Sequence, residues 1–278
     1  MIAPAFNDRI EKKYQINVDE KEVAALWRDL SSVLQPHGLL PTQEITSVGS
    51  VYFDNKDFDL LRFSLFGHLL LFRVRAYELY GRFPEPISRY WVEVKTAQGA
   101  RRKKKRFPLP KDALLLFLQG KDIDEALHES NVEMCGPEDI DLYRDIQETV
   151  LTMGLNPVLL VLCKRVAFQG TTARLSIDWD VQYYSATNSI YELTSWKYLV
   201  GPPTGRAGKV ILELKCLGDE RTPNWFGELQ RRYPIQEREY LKPIEGMGCL
   251  FKGPLKDHNK ANDFVPLIDA YMQNSLLG

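Results

Sequence analysis

Polar and apolar residues alternate with a period of two along much of this chain. In the opening stretch Arg9-Ile-Glu-Lys-Lys-Tyr-Gln-Ile16, Ile10 separates charged neighbours, as in a strand whose successive side chains face opposite sides. Similar runs recur at 48–53, 68–77, 89–96, 102–109, 158–169, 172–184 and 209–216. Elsewhere the period lengthens. After Asp19, a capping residue, Val23, Leu26, Trp27 and Leu30 share one helical face. Helical patterns also fill 111–119, 138–152 and 223–233, and the Gly/Pro-rich stretch 201–208 separates the last two strands. No internal repeat is present. The elements predict an α+β protein in which strands dominate. The tail from Lys256 to Gly278 reads equally as a packed helix or an ordered arm.

The identity of the alternating residues matters more than the alternation. Glu11 and Lys13, Arg73 and Arg75, Glu93 and Lys95, Arg102 with Lys104 and Arg106, Arg165, Arg174 with Asp178, and Glu213 with Lys215 fall on one face of successive strands. Their neighbours, among them Phe72, Val74, Val92, Val94, Leu175, Ile177, Leu212 and Leu214, are apolar. Strand parity selects Lys104 over Lys105 for the charged face, because Phe107 should face the core. A solvated sheet explains any single pair of this kind. Seven such segments rich in Arg fit bidentate phosphate or carboxylate contacts better. If the strands close into a barrel, roughly eight to ten cations and a few carboxylates line its lumen, and unpaired buried charge on that scale is too costly to leave dry. The lumen would hold water and a polyanion. The carboxylates suit a hard divalent cation that bridges phosphate oxygens.

Composition narrows the classes. In 278 residues, 36 Lys and Arg face 37 Asp and Glu, a net charge of -1, which argues against a general nucleic-acid binder. No apolar run approaches the ~20 residues of a membrane-spanning helix. The first eight residues lack a signal-peptide pattern, so a cytoplasmic location is expected. Cys135, Cys163, Cys216 and Cys249 are too widely spaced for a structural zinc site. Ten acids lie between 122 and 148, with Arg144 as the one base; this reads as the solvated face of a helical insertion. Gly205-Arg-Ala-Gly-Lys209 lacks the spacing and the hydroxyl residue of a phosphate loop. The basic run Arg101–Arg106 sits in a strand without a stacking platform, so nucleic acid is the weaker reading.

Several of these segments resemble a known family. Ser50-Val-Tyr-Phe-Asp54-Asn55 followed by Phe58-Asp-Leu-Leu, then Phe72-Arg-Val-Arg-Ala-Tyr77, resembles the VTC domain. This is the polyphosphate polymerase domain of the vacuolar transporter chaperone complex and its bacterial relatives, within the triphosphate tunnel superfamily. Trp91-Val-Glu-Val-Lys-Thr96, Lys164-Arg165-Val-Ala-Phe168, Ala173-Arg-Leu-Ser-Ile-Asp178 and Val210-Ile-Leu-Glu-Leu-Lys215 continue the likeness in order. Where the family has Ser-Lys-Tyr, this chain has Leu241-Lys242-Pro243.

The resemblance implies an antiparallel β-barrel tunnel braced by helices, in one domain spanning 1–278. Its core would be about 9–250, with a helical insertion at about 110–153 and a tail at 251–278. It implies transfer of the ATP γ-phosphate to a growing polyphosphate chain with Mn²⁺ or Mg²⁺. Lys13, Arg73, Arg75, Lys95, Lys104, Arg106, Arg165, Arg174, Lys215 and Lys242 would bind substrate. Arg75, Lys215 and Glu213 would be catalytic, with Glu213 and Glu11 as metal ligands. ATP and polyphosphate are the implied partners, nucleic acid is not, and the reading leaves room for a separately encoded membrane partner. A triphosphate hydrolase in the same tunnel, with Glu11 or Glu93 as base, and a non-catalytic polyphosphate or inositol-phosphate module are the alternatives.

Overall fold

A single antiparallel sheet organises the chain. The computed structural model describes residues 9–277 except 43, 82–85, 99–100, 124–136, 200, 218–221 and 239; Cys135 and the middle of the acidic insertion lie outside the described residues. The strands are β1 (Arg9–Ile16), β2 (Leu40–Pro41), β3 (Thr46–Asp54), β4 (Leu70–Leu79), β5 (Tyr90–Gln98), β6 (Arg101–Leu109), β7 (Asn156–Gln169), β8 (Ala173–Ser185), β9 (Gly205–Ala207), β10 (Val210–Leu217) and β11 (Ile235–Glu237). Their order is β11-β1-β10-β8-β7-β3-β4-β5-β6, with β2 beside β7 and β9 beside β8.

The expected barrel is not closed by hydrogen bonds among the described residues: β6 and β11 stand at opposite ends of the order. The sheet instead curls into a trough. Lys95 on β5 feels the charges of Glu11, Glu213 and Lys215, although β5 and β1 are six ladder steps apart. Right-handed strand twist, accumulated over many strands, produces such curling.

Helices cover the convex side because that is where the strands are apolar. α1 (Val23–Leu34) and α5 (Asn224–Arg232) pack Leu26, Leu30 and Phe226 on Tyr14, Leu175, Ile177 and Leu212. α3 (Lys111–Leu118) and α4 (Pro137–Thr152) pack Leu114, Phe117 and Tyr143 on Val74, Val92 and Phe107. The helices expected near 111–119, 138–152 and 223–233 are therefore present, with ends shifted by a residue or so.

Three helices escape the periodicity. α2 (Asp59–Leu65) is seven residues long and follows Phe58, whose φ of 57° is uncommon for a residue with a β-carbon. Its first turn is held by Asp54, whose carboxylate accepts the backbone N–H groups of Leu60 (3.0 Å) and Leu61 (2.9 Å). α6 (Lys242–Lys252) and α7 (Ala261–Leu277) enter the concave side. There Ile244, Met247, Leu250, Phe264 and Ile268 join Val48, Leu71, Leu159, Val181 and Tyr183 in a third apolar cluster. The tail is thus a packed helix. Gly246 lets α6 approach the sheet: a β-carbon there would lie 2.8 Å from the Leu159 and Tyr183 side chains.

Candidate active site

The concave face is apolar where α6 plugs it and charged over the remainder. Strand register places the charges side by side: Glu11 opposite Lys215, Lys13 opposite Glu213, Lys215 opposite Arg174, Arg73 opposite Glu93, and Lys95 opposite Lys104. Three anchors order them.

The first anchor is Glu93. Its carboxylate is wholly buried, with Arg73 Nη2 at 2.6 Å, Lys104 Nζ at 2.5 Å, Arg106 Nη1 at 3.9 Å and Arg75 Nη1 at 4.0 Å. Burial alone would raise its pKa, but Arg73, Arg75 and Lys104 hold it well below the usual carboxylate range. Glu93 is therefore a poor base, which weakens its proposed part in hydrolysis. Burial lowers Lys104 to about 8 against the pull of Glu93. Tyr52 Oη accepts from Arg73 (3.1 Å) and Ser50 Oγ from Arg75 (2.9 Å).

The second anchor is Asp178. Arg165 donates to it twice, Nε at 2.5 Å and Nη2 at 2.6 Å, and Lys242 Nζ adds a further ion pair. Asp178 is buried, which opposes ionisation, yet Arg165 and Lys242 hold its pKa below the ordinary value. Lys242 reaches this point from the first turn of α6, where Pro243 also sits. A first-turn proline loses no helical hydrogen bond, so the departure at Pro243 leaves the lysine in the trough.

The third anchor is the Glu11–Glu213 pair. The two side chains are diagonal neighbours across the β1–β10 ladder and interact. Lys215 Nζ lies 3.2 Å from Glu213 and 4.0 Å from Glu11, and Arg165 Nη2 lies 3.7 Å from Glu213. Glu213 is buried, but Lys215, the Glu11 contact and Arg165 keep its pKa well below the ordinary value. Lys13 Nζ donates to the Tyr240 carbonyl at 2.8 Å. Lys95 is depressed well below the lysine range, by burial first.

All ten expected substrate-binding cations and both expected metal ligands thus occupy the same concave surface. Sequence reasoning did not identify Asp178 as an anchor, nor the roles of Ser50, Tyr52 and Tyr240. Asp178 did carry the right parity. Ser176, opposite Glu213, is buried and its hydroxyl finds no hydrogen-bond partner among the described residues. A paired set of carboxylate oxygens beside an unsatisfied hydroxyl fits a hard divalent cation and phosphate oxygens. Among the described residues no group of three or more His, Cys, Asp or Glu could hold a metal, so phosphate oxygens or water would complete the coordination.

The VTC domain model matches residues 8–251, which takes in every one of these side chains. The chain belongs to the VTC domain family. No curated protein matches significantly. A solved structure from Bacillus halodurans, provisionally assigned as an adenylate cyclase, shares 14% identity; the alignment covers 86% of this chain and 96% of that one, with a TM-score of 0.48. A structure from Vibrio parahaemolyticus with the same provisional assignment has 11% identity, coverage of 81% and 84%, and a TM-score of 0.36. One from Pyrococcus horikoshii has 11% identity, coverage of 76% and 80%, and a TM-score of 0.35. None of these structural likenesses is close enough to argue from. In this VTC domain, no helix among the described residues is long and apolar enough to cross a membrane.

Proposed function

We propose that this VTC domain is a polyphosphate polymerase that transfers the γ-phosphate of ATP to the end of a polyphosphate chain, with Mn²⁺ or Mg²⁺ as cofactor. One observation carries the reading: ten cations (Lys13, Arg73, Arg75, Lys95, Lys104, Arg106, Arg165, Arg174, Lys215 and Lys242) share a concave face with four carboxylates, Glu11, Glu93, Asp178 and Glu213. With every group ionised the surplus is six positive charges, and it is still five with Lys95 neutral, a balance that suits a long anion.

Phosphoryl transfer asks chiefly for positioning and charge neutralisation. Arg73, Arg75, Lys104 and Arg106 would hold the donor phosphates around Glu93. Arg165, Arg174, Lys215 and Lys242 would hold the acceptor chain. Glu213 and Glu11 would hold the divalent cation, which when bound would neutralise phosphate charge. The acceptor oxygen is already an anion, so transfer needs no general base. Glu93, clamped by cations, is a poor base, which leaves Glu11 as the candidate base of the hydrolytic alternative.

The test is incubation of the purified protein with ATP and Mn²⁺, resolving products by gel and phosphorus NMR. Long polyphosphate plus ADP is the expected result. Free phosphate without polymer would move the site to the triphosphate hydrolases. Absence of turnover, with tripolyphosphate still bound, would make it a binding module.

A further inference from the structure

Two large aromatic side chains stand on the charged face without an apolar packing role. Trp91 and Tyr77 share the strand parity of Glu93 and Arg75 respectively, and among the described residues neither joins any of the three apolar clusters. Trp91 is directly opposite Arg75 in the β4–β5 ladder, so Tyr77, two residues on, is its diagonal neighbour at roughly 7–8 Å between backbones. Along the concave side of β4 the order is Leu71, Arg73, Arg75, Tyr77. Leu71 belongs to the plug cluster, whereas Tyr77 is 41% exposed. Tyr77 faces Val48 of the plug cluster on its β3 side but is itself exposed, so the two rings mark a solvent-open stretch of this strand pair.

Each ring is in contact with an arginine of the phosphate trough. The Arg106 guanidinium lies 4.3 Å from the Trp91 ring centre, and that of Arg75 lies 5.9 Å from Tyr77, whose hydroxyl accepts from Arg75 Nη1 at 3.4 Å. The Arg106 side chain is 45% exposed, so its cation–π contact is of the weak, solvated kind. Base–aromatic stacking is stronger. A nucleobase arriving at Trp91 would displace Arg106 from the ring and free it for phosphate.

We infer that Trp91 and Tyr77 form a nucleoside subsite, stacking the base of a nucleoside triphosphate whose phosphates run inward along Arg75, Arg106 and Lys104. From Trp91 to Lys95 the strand spans roughly 13 Å, enough for a ribose and a phosphate chain. The inference rests on the proposed function and adds to it a place for the base of the nucleotide donor. Stacking reads the π-face rather than base edges, so adenine and guanine nucleotides should bind alike.

The test is equilibrium binding of ATP, GTP and inorganic tripolyphosphate, without divalent metal, to the wild-type protein and to Trp91→Leu, Trp91→Phe and Tyr77→Leu. Trp91→Leu should weaken ATP and GTP on the order of ten-fold, with tripolyphosphate within two-fold of wild type, and Trp91→Phe should restore much of the loss. Tyr77→Leu, at a more exposed position, repeats the comparison if Trp91→Leu does not fold. Equal weakening of all three ligands would overturn the inference and make the rings supports of the trough. Unchanged nucleotide affinity in both Leu variants would also overturn it, while tripolyphosphate binding by the wild type would leave the polyanion site standing. If the wild type binds none of the three, both readings fall.

Discussion

Lys242 and Asp178 are joined by a buried ion pair between the first turn of α6 and strand β8, so the helix that plugs the trough is tied to its charged part. Asp178 simultaneously grips Arg165 on β7. Removing its charge strands two buried cations, and breaking a buried pair from one side typically costs about 3–5 kcal/mol. Asp178→Asn should lower the thermal midpoint by several degrees, measured by calorimetry. A midpoint within one degree of wild type would mean that Lys242 and Arg165 relax into solvent.

Glu93 makes a different prediction because its partners are substrate cations. Glu93→Gln leaves Arg73, Arg75, Lys104 and Arg106 repelling one another. The variant should be less stable than wild type when free, and tripolyphosphate should recover more of its thermal midpoint than it adds to wild type. Ligand at 100 times its Kd stabilises by about 2.7 kcal/mol, so thermal shift has the range to resolve the difference. Equal shifts in both proteins would mean that the Glu93 carboxylate and the ligand do not compete for those cations.

How far the sequence reaches is visible in these two anchors. The period of two assigned a face to the charged residues on the strands, because β-pleating leaves little freedom once the other face is apolar, but it said nothing of Lys242 on α6. It also separated Lys104, at 2.5 Å from Glu93, from its neighbour Lys105, which lies across the ladder from Val94. It did not reveal which carboxylate meets which cation, since that depends on register and curl. Nor did it reveal α2 and α6: one is seven residues long, and the other carries Pro243, Gly246 and Gly248, all poor helix signals in isolation. Alternation gives a strand two faces and says nothing about whether the last strand meets the first, and among the described residues β6 and β11 do not pair.

The catalytic assignments predict a separation of activity from folding. Glu213→Gln, Lys215→Ala and Arg75→Ala should each lower polymer formation by at least about 100-fold, the usual scale for removing one preorganised charge at a reacting centre. Circular dichroism should remain that of wild type. Loss of folded signal in any of them would assign that residue to structure instead.

Lys104 introduces a pH dependence of known sign. Burial brings its pKa down from 10.5 to about 8, with Glu93 opposing and Arg106 and Arg73 adding to the depression. Below pH 8 the ammonium is charged and attracts phosphate; above it the charge is lost. Tripolyphosphate affinity should fall between pH 7 and 9, and the fall should be smaller in Lys104→Met. Comparing the variant with wild type cancels the ionisation of the ligand itself. Parallel profiles in the two proteins would remove Lys104 from the binding site.

Salt offers the broadest check on the trough. A chain of phosphates that engages several of the ten cations displaces its own condensed counterions, and log affinity then falls linearly with log salt, with a slope near the number of phosphates neutralised. Polyphosphate of increasing length should show a steepening slope until the trough is filled, after which added phosphates change nothing. The plateau would measure how many phosphates the protein holds at once. A shallow slope, unchanged from tripolyphosphate to long chains, would mean that the concave cations are spent on Glu93, Asp178 and Glu213, and would leave the polymer without a path through the protein.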